Sequence, residues 1–252
     1  MHPSGDMNGK VALVTGASGG LGRTVVHHLA RAGANLVLVD IAADRLEPVA
    51  REARAMGVEV HAHATDLACA DNCPAAVGVA SEAFGRLDAL CNVAGVMAQA
   101  HSHAMPVEDF SRIFAVNVTA PFAMIQAAIP MLLESKGAVV NVASSTGVYP
   151  APYLAAYGSS KAALIHMTRA LAAEYMNRAI RFNAVAPGAM MTAMIASQQA
   201  LPDLDAAVAG RNMPARGLVD VEEVAATIAF LASSASRGHH GACIVIDHGM
   251  SL

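Results

Sequence analysis

Short apolar runs that alternate with helical segments constrain the fold of this chain more than any other feature of its sequence. Most runs are continuously apolar, which is typical of strands covered on both faces and therefore of a parallel sheet. With right-handed crossovers, the alternation predicts an α/β fold, a doubly wound (Rossmann-type) parallel sheet of about seven strands with helices on both faces. The predicted strands are Val11–Thr15, Leu36–Val39, Val58–Ala64, Leu87–Val93, Ala138–Ala143, Ile180–Val185 and Ala242–Ile246. The helical segments include Gly22–Ala32, Arg45–Met56, Asp109–Leu133, Tyr157–Tyr175 and Val221–Leu231.

Length and composition indicate one globular domain. The 252 residues are 55% hydrophobic and 14% charged, so a large core can be buried, and no linker or repeat divides the chain. We therefore expect residues 1–252 to form a single domain, with 1–8 flexible. A net charge of −4 without a basic cluster argues against a nucleic-acid partner.

Four long stretches carry no Asp, Glu, Lys or Arg, yet each contains Pro together with Asn, Gln, Ser or Gly. We interpret them as buried elements of a soluble protein rather than membrane spans. The short polar N-terminus lacks the apolar run of a signal peptide, which favours a cytoplasmic location. The four cysteines are too few for a disulfide scaffold, and the spacing of Cys69 and Cys73 is not that of a zinc site, so we predict no metal.

A glycine cluster, Thr15–Gly22, stands between the first predicted strand and the first helical segment. Glycines there allow a tight turn and let backbone N–H groups approach a pyrophosphate, whose charge the helix N-terminus favours. The second strand ends in Asp40, 20 residues after Gly20. A carboxylate at that point accepts hydrogen bonds from the adenosine ribose and repels a 2′-phosphate. These features predict an NAD site.

The Thr-Gly-x-x-x-Gly-x-Gly spacing of this cluster resembles that of the short-chain dehydrogenase/reductase family, and the resemblance covers almost the whole chain. In that family a basic residue at the position of Gly19, or just after the second strand, often marks NADP preference. Gly19 and Ile41 stand at those positions here, so the resemblance also implies NAD.

Further motifs extend the resemblance. Asp66-Leu67 matches the family's adenine-contacting Asp, and Asn92-Val93-Ala94-Gly95 matches its Asn-Asn-Ala-Gly motif except at Val93. The resemblance implies that Asn92 braces the central sheet and that Thr192, after Pro187-Gly188, contacts the nicotinamide carboxamide. The cofactor-binding residues predicted in this way are Gly16, Ser18, Gly20, Leu21, Gly22, Asp40, Ile41, Asp66, Leu67, Asn92, Ala94, Gly95, Tyr157, Lys161, Pro187, Gly188, Met190 and Thr192.

A Tyr-x-x-x-Lys pair, Tyr157 and Lys161, supplies the candidate chemistry. The two residues share a helix face, with Cβ atoms about 5–6 Å apart. A nearby ammonium favours the phenolate, so we expect Lys161 to lower the pKa of Tyr157. Ser144 lies 13 residues before Tyr157, as the family's catalytic serine does, with Ser145 as the alternative. Asn117 matches the family's helix-distorting asparagine, which by resemblance holds a water linked to Lys161.

The constellation predicts an NAD-dependent oxidoreductase that interconverts a secondary alcohol and a ketone. Tyr157 is the predicted acid/base, and Ser144 the hydrogen-bond donor to the substrate oxygen. The alternatives are a 3-oxoacyl thioester reductase, a non-catalytic NAD-binding regulatory protein and a scaffold subunit of a hetero-oligomer. An enoyl reductase would carry a tyrosine seven residues before the lysine, where this chain has Leu154.

Substrate and assembly are predicted more coarsely. Three uncharged segments should border the substrate, Val96–Met105, Val148–Tyr153 and Ala189–Ile195, the last within a substrate-loop region at about 189–215. They favour an apolar, uncharged substrate, because a charged group would lie unpaired against them. The cations available if the loop folds differently are His101, His103, Arg211 and Arg216. Two Ala-rich or uncharged helices and the resemblance together predict a homotetramer without membrane partners.

Overall fold

The computed structural model describes residues 6–196, 201–210, 214 and 216–250. Within these residues seven strands form one parallel sheet in the order β3-β2-β1-β4-β5-β6-β7. The predicted strands are confirmed in number and in their order along the chain, and their ends differ by at most two residues. The strands are β1 Val11–Thr15, β2 Asn35–Asp40, β3 Val60–Ala64, β4 Ala89–Asn92, β5 Ala138–Val142, β6 Arg181–Pro187 and β7 Cys243–Ile246.

Helices cover both faces of the sheet. On one face α1, α2 and α9 pack over side chains such as Val14 and Leu38, and on the other α3, α5 and α6 pack over Leu13 and Val39. Neighbouring strand residues are thus buried on opposite faces, which is why the runs are continuously apolar. The helices are α1 Gly20–Arg31, α2 Ala43–Arg54, α3 Cys73–Phe84, α4 Val107–Phe114, α5 Ala120–Ser135, α6 Ala155–Glu174, α7 Ala193–Ala196, α8 Ala206–Ala209 and α9 Val221–Ala232.

The single helix expected over Asp109–Leu133 is wrong in detail. The structure has α4 and α5 joined by a π-helical segment, Ala115–Thr119, with Asn117 buried at its centre. Widened turns of this kind often occur at functional sites, because they redirect one side chain out of the regular helix.

The same stretch, Val107–Ser135, is the one helix of the described residues that is long and apolar enough to cross a membrane. It packs against β4, β5, α3 and α6, and nearly half of its most apolar 18-residue stretch is buried within this protein. We therefore describe it as a core helix.

The topology determines where a ligand can bind. The chain runs outward from β1 through β2 to β3 and then returns to β4 on the other side of β1. Loops that leave the carboxyl ends of β1 and β4 consequently diverge, and a crevice opens between them.

Candidate active site

A cavity of about 570 Å³ occupies this crevice at the carboxyl edge of the sheet. Every residue predicted to bind the cofactor lines it except Asn92, and Ser144, Tyr157 and Lys161 line it as well. The structure therefore brings the glycine cluster and the Tyr-x-x-x-Lys pair, which are far apart in sequence, into one enclosure.

The glycine cluster is shaped by two positions that tolerate no side chain. Gly16 has a φ of +65°, and a Cβ there would lie 2.8 Å from the Cα of Ala94. A Cβ on Gly22 would overlap the carbonyl oxygen of Gly16. Both positions keep the turn tight against the start of α1, where free N–H groups and the helix dipole attract an anion.

Asp40 is held rigidly beside this turn. Its carboxylate accepts hydrogen bonds from the backbone N–H of Ser18 at 2.9 Å and of Ala42 at 3.2 Å. The Oγ of Ser18 is buried in the cavity wall and has no hydrogen-bond partner among the described residues. A buried hydroxyl left unpaired is costly, so it points to a polar ligand. This turn, hydroxyl and carboxylate fit the pyrophosphate and adenosine ribose of a nicotinamide dinucleotide.

Asn92 is the exception among the predicted cofactor ligands. Its side chain is turned into the protein, where Nδ2 donates to Asn141 Oδ1 at 2.9 Å, and Asn141 Nδ2 donates to Thr168 Oγ1 at 2.9 Å. The three side chains connect β4, β5 and α6. The expectation that Asn92 braces the central sheet is thus confirmed, whereas its inclusion among the cofactor-binding residues is corrected, because it does not line the cavity.

Ser144, Tyr157 and Lys161 converge at the start of α6. The hydroxyls of Ser144 and Tyr157 are neighbours, and Ser144 Oγ accepts hydrogen bonds from Thr146 N at 3.2 Å and from Thr146 Oγ1 at 3.0 Å. Lys161 Nζ donates to the carbonyl oxygen of Val142 at 2.9 Å and lies 5.7 Å from the centroid of the Tyr157 ring. Because the partner of Tyr157 is Ser144, the geometry favours Ser144 over Ser145.

Burial controls the acid–base properties of the site. It raises the pKa of Tyr157 above its ordinary value, and the hydrogen bond from Ser144 opposes the rise only in part. Burial also lowers the pKa of Lys161 to about 8. The pKa of Tyr157 is thus raised and not lowered as expected, and Lys161 is not among the groups that shift it. Near neutral pH the phenol is protonated and can donate its proton.

Asn117 supports the site from behind rather than lining the cavity. Its amide accepts from Val96 N and donates to Val96 O, both at 2.9 Å, and Nδ2 also donates to Ser160 Oγ at 3.0 Å. A Cβ on Gly95 would lie 3.2 Å from Lys161 Nζ and 3.3 Å from Asn117 Oδ1. Asn117 therefore holds the 94–96 segment against α6, where a side chain at position 95 would crowd Lys161 and Asn117.

Thr15 was not singled out from the sequence. Its Oγ1 accepts from the backbone N–H groups of Val93 and Ala94 at 3.0 and 3.1 Å, which joins the loops after β1 and β4. A threonine at the end of the first strand was the only available signal. Lining residues that were missed include Arg45, Thr65, Arg112, Val116 and Met250. Of these, Arg112 and Val116 are four apart and share a helix face ahead of Asn117, a spacing that could have indicated them.

The three segments expected at the substrate reach the cavity only in part. Residues 96, 97 and 99 line it, as do 151–154, 189, 190 and 192–195, whereas 148–150 line a separate shallow groove. Of the alternative cations, Arg211 lies outside the described residues. His101, His103 and Arg216 do not line the cavity.

Comparison with known proteins agrees with this geometry. The family model described as enoyl-(acyl carrier protein) reductase matches residues 16–251. A 3-oxoacyl-(acyl-carrier-protein) reductase of Thermotoga maritima is 34% identical, over 98% of this chain and 99% of its own length. The chain belongs to the short-chain dehydrogenase/reductase family. It is accordingly an oxidoreductase by family, although Leu154 occupies the position at which an enoyl reductase is expected to carry tyrosine.

Other members of the family show its range. A 2,5-dichloro-2,5-cyclohexadiene-1,4-diol dehydrogenase of Sphingobium indicum is 35% identical, over 97% of both chains. A short-chain dehydrogenase structure from Mycobacterium paratuberculosis, bound to NAD, is 29% identical with a TM-score of 0.89, covering 98% of this chain and 99% of its own. One from Burkholderia cenocepacia, in complex with NADP, is 32% identical with a TM-score of 0.88 and the same coverage. Similar folds in this family thus accept either dinucleotide.

Proposed function

We propose that this protein is an NAD-dependent dehydrogenase that interconverts a secondary alcohol and a ketone on an apolar, uncharged substrate. The observation that carries the proposal is the pair of neighbouring hydroxyls, Ser144 and Tyr157, which faces the same cavity as the glycine cluster. A hydroxyl pair at the end of a dinucleotide cavity is suited to a carbonyl or alcohol oxygen.

The roles follow from the contacts. The dinucleotide, when bound, accepts or supplies the hydride. Tyr157 donates its proton to the developing alkoxide in the reducing direction and takes it back in the oxidising direction. Ser144 donates a hydrogen bond to the same oxygen. Lys161 places a positive charge behind the Tyr157 ring and is the residue that we expect to hold the nicotinamide ribose.

Preference for NAD is attributed to Asp40. The two backbone N–H groups that hold its carboxylate prevent it from swinging away from a 2′-phosphate. Arg45 also lines the cavity, yet no hydrogen bond or ion pair within the described part of the chain holds its guanidinium. The fixed negative charge therefore supports NAD over NADP.

The lining supports an apolar substrate. Met97, Met190, Met194 and Met250 all reach the cavity, and methionines form an adaptable apolar wall. The segments at 96–99, 151–154 and 189–195 contribute no Lys, Arg, Asp or Glu.

A 3-oxoacyl thioester is the second candidate substrate. It is favoured by one observation, namely that Arg112 lines the cavity and offers a cation to an acidic carrier group. The 34% sequence identity between this chain and the 3-oxoacyl-(acyl-carrier-protein) reductase of Thermotoga maritima agrees with this alternative.

The proposal is tested with a panel of neutral secondary alcohols and NAD, monitored as NADH formation, beside matched carboxylated alcohols and a 3-oxoacyl thioester with NADH. Tyr157→Phe is the control: we expect turnover to fall about 10²–10⁴-fold, the usual contribution of general acid–base catalysis, while NADH affinity stays within a small factor. Absence of turnover on the whole panel, or near-normal turnover by the variant, would contradict the proposal.

We also propose a cytoplasmic homotetramer. Val107 is 72% exposed and Phe122 46% exposed on α4 and α5, and Val245 is 38% exposed on the edge strand β7. Apolar residues exposed on two separate faces would be covered in an assembly with two kinds of interface. All four cysteines are free, which suits a reducing compartment. Light scattering at micromolar protein measures the mass, and a monomer would refute the assembly.

A further inference from the structure

One part of the 189–215 region, residues 201–210, lies beside the mouth of the cavity. Its helix α8 brings Ala209 into the cavity lining. Asp205 begins that helix, and its carboxylate accepts from Ala207 N at 2.9 Å and from Val208 N at 3.2 Å. The position of Asp205 therefore sets the position of this wall.

Two side chains from outside the segment hold it in place. The hydroxyl of Tyr153 accepts a hydrogen bond from the backbone N–H of Asp205 at 3.1 Å. The Nε2 of His101 lies 2.8 Å from the carbonyl oxygen of Pro202. A carbonyl oxygen can only accept, so Nε2 is the donor in this contact.

His101 and Tyr153 also support each other. Their rings pack edge to face with centroids 5.2 Å apart, and Ala100 N donates to Tyr153 O at 3.0 Å. Tyr153 adopts a φ of +63°, a left-handed conformation that is unfavourable for a residue with a side chain. Such a conformation persists only where surrounding contacts impose it, and it directs the ring between the cavity and the 201–210 segment.

We propose that Tyr153 and His101 form a latch that holds residues 201–210 against the cavity and so positions the wall on which the substrate binds. Tyr153 is a positioning residue in this scheme, because it acts on the substrate through the segment and leaves the proton to Tyr157. The effect on substrate rests on the proposed function, whereas the latch itself can be measured without any substrate.

The first test is hydrogen–deuterium exchange of the peptide that contains 201–210. Tyr153→Phe removes only the hydroxyl, and we expect exchange there to become about 2- to 10-fold faster, which corresponds to the loss of one hydrogen bond. Tyr149→Phe is the matched control, because Tyr149 Oη has no hydrogen-bond partner among the described residues and the residue is absent from the cavity lining. It should exchange like the wild type.

His101→Phe provides a second variant, since it keeps an aromatic ring against Tyr153 and removes the bond to Pro202. It should speed exchange of 201–210 in the same way. Wild-type exchange of this peptide in both the Tyr153 and His101 variants would overturn the latch.

Kinetics test the effect on substrate. With an alcohol that the wild type oxidises, His101→Phe, at a residue that does not line the cavity, should raise KM about 2- to 10-fold with kcat and NADH affinity nearly unchanged, because one hydrogen bond that holds the binding wall is lost. An unchanged KM together with faster exchange would overturn the substrate role. Faster exchange in a protein that turns over no alcohol or ketone would support the latch and contradict the proposed function instead.

Discussion

Replacing Lys161 with Met tests how much the buried ammonium of Lys161 destabilises the folded protein. Lys161 is 3% exposed, and Nζ has one hydrogen-bond acceptor among the described residues, the carbonyl oxygen of Val142. Met has a similar length and no charge, so the variant removes the ammonium while keeping most of the packing. We expect the variant to be inactive, because the cation beside Tyr157 is lost.

The size of the effect follows from the pKa. Burial lowers the pKa of Lys161 from 10.5 to about 8. At about 1.4 kcal/mol for each tenfold change in proton affinity, the buried ammonium destabilises the folded protein by about 3 kcal/mol near neutral pH. Loss of the donor to Val142 O costs the variant about 1–3 kcal/mol at any pH.

The pH dependence separates these two contributions. A cation whose pKa is depressed by folding destabilises the folded state fully below the folded value, and the penalty disappears as the pH rises from the folded to the unfolded value. Between about pH 7 and about pH 9.5, roughly 2 kcal/mol of the wild-type penalty should disappear, while the variant shows no such change.

Urea unfolding of both proteins, followed by circular dichroism at equal protomer concentrations, measures this difference. The stability of Lys161→Met minus that of the wild type should fall as the pH rises. A difference that stays constant over this range would show that Lys161 does not carry a depressed pKa, and would refute the reasoning.

Two further predictions concern the dinucleotide site. Asp40→Asn removes the charge that would meet a 2′-phosphate, so the kcat/KM for NADP relative to NAD should rise about 10- to 100-fold, and an unchanged ratio measured with both cofactors would contradict the role of Asp40. Gly22→Ala places a Cβ against the carbonyl of Gly16, so NADH affinity measured by fluorescence titration should fall at least about 10-fold. Gly78→Ala is the control, because its added Cβ meets nothing within 4 Å, and equal affinity in the two variants would contradict the argument.

The strands along the chain and the proximity of Tyr157 and Lys161 could be predicted because they depend on local patterns. Continuous apolar runs indicate doubly covered strands, and a spacing of four residues places Tyr157 and Lys161 on one helix face. The glycine cluster followed by Asp40 is likewise a contiguous pattern, and the structure places it beside the cavity as expected.

Other features depended on neighbours that are distant in the sequence. The pKa of Tyr157 is set by how completely the folded chain surrounds it, a quantity that no spacing reveals. Asn92 was assigned to the cofactor by its motif, yet the partner that turns it away is Asn141, 49 residues further along the chain.

The sequence by itself determined the fold class and the residues proposed to react, because periodicity and short motifs carry that information within single elements. Only the tertiary structure decided which serine lies beside the hydroxyl of Tyr157, how Asn117, within a widened helical turn, holds the 94–96 segment, and that Tyr153 reaches Asp205 across 52 residues. These contacts arise when separate loops meet at the carboxyl edge of the sheet. Their energies depend on distance and burial, and both are properties of the packed molecule.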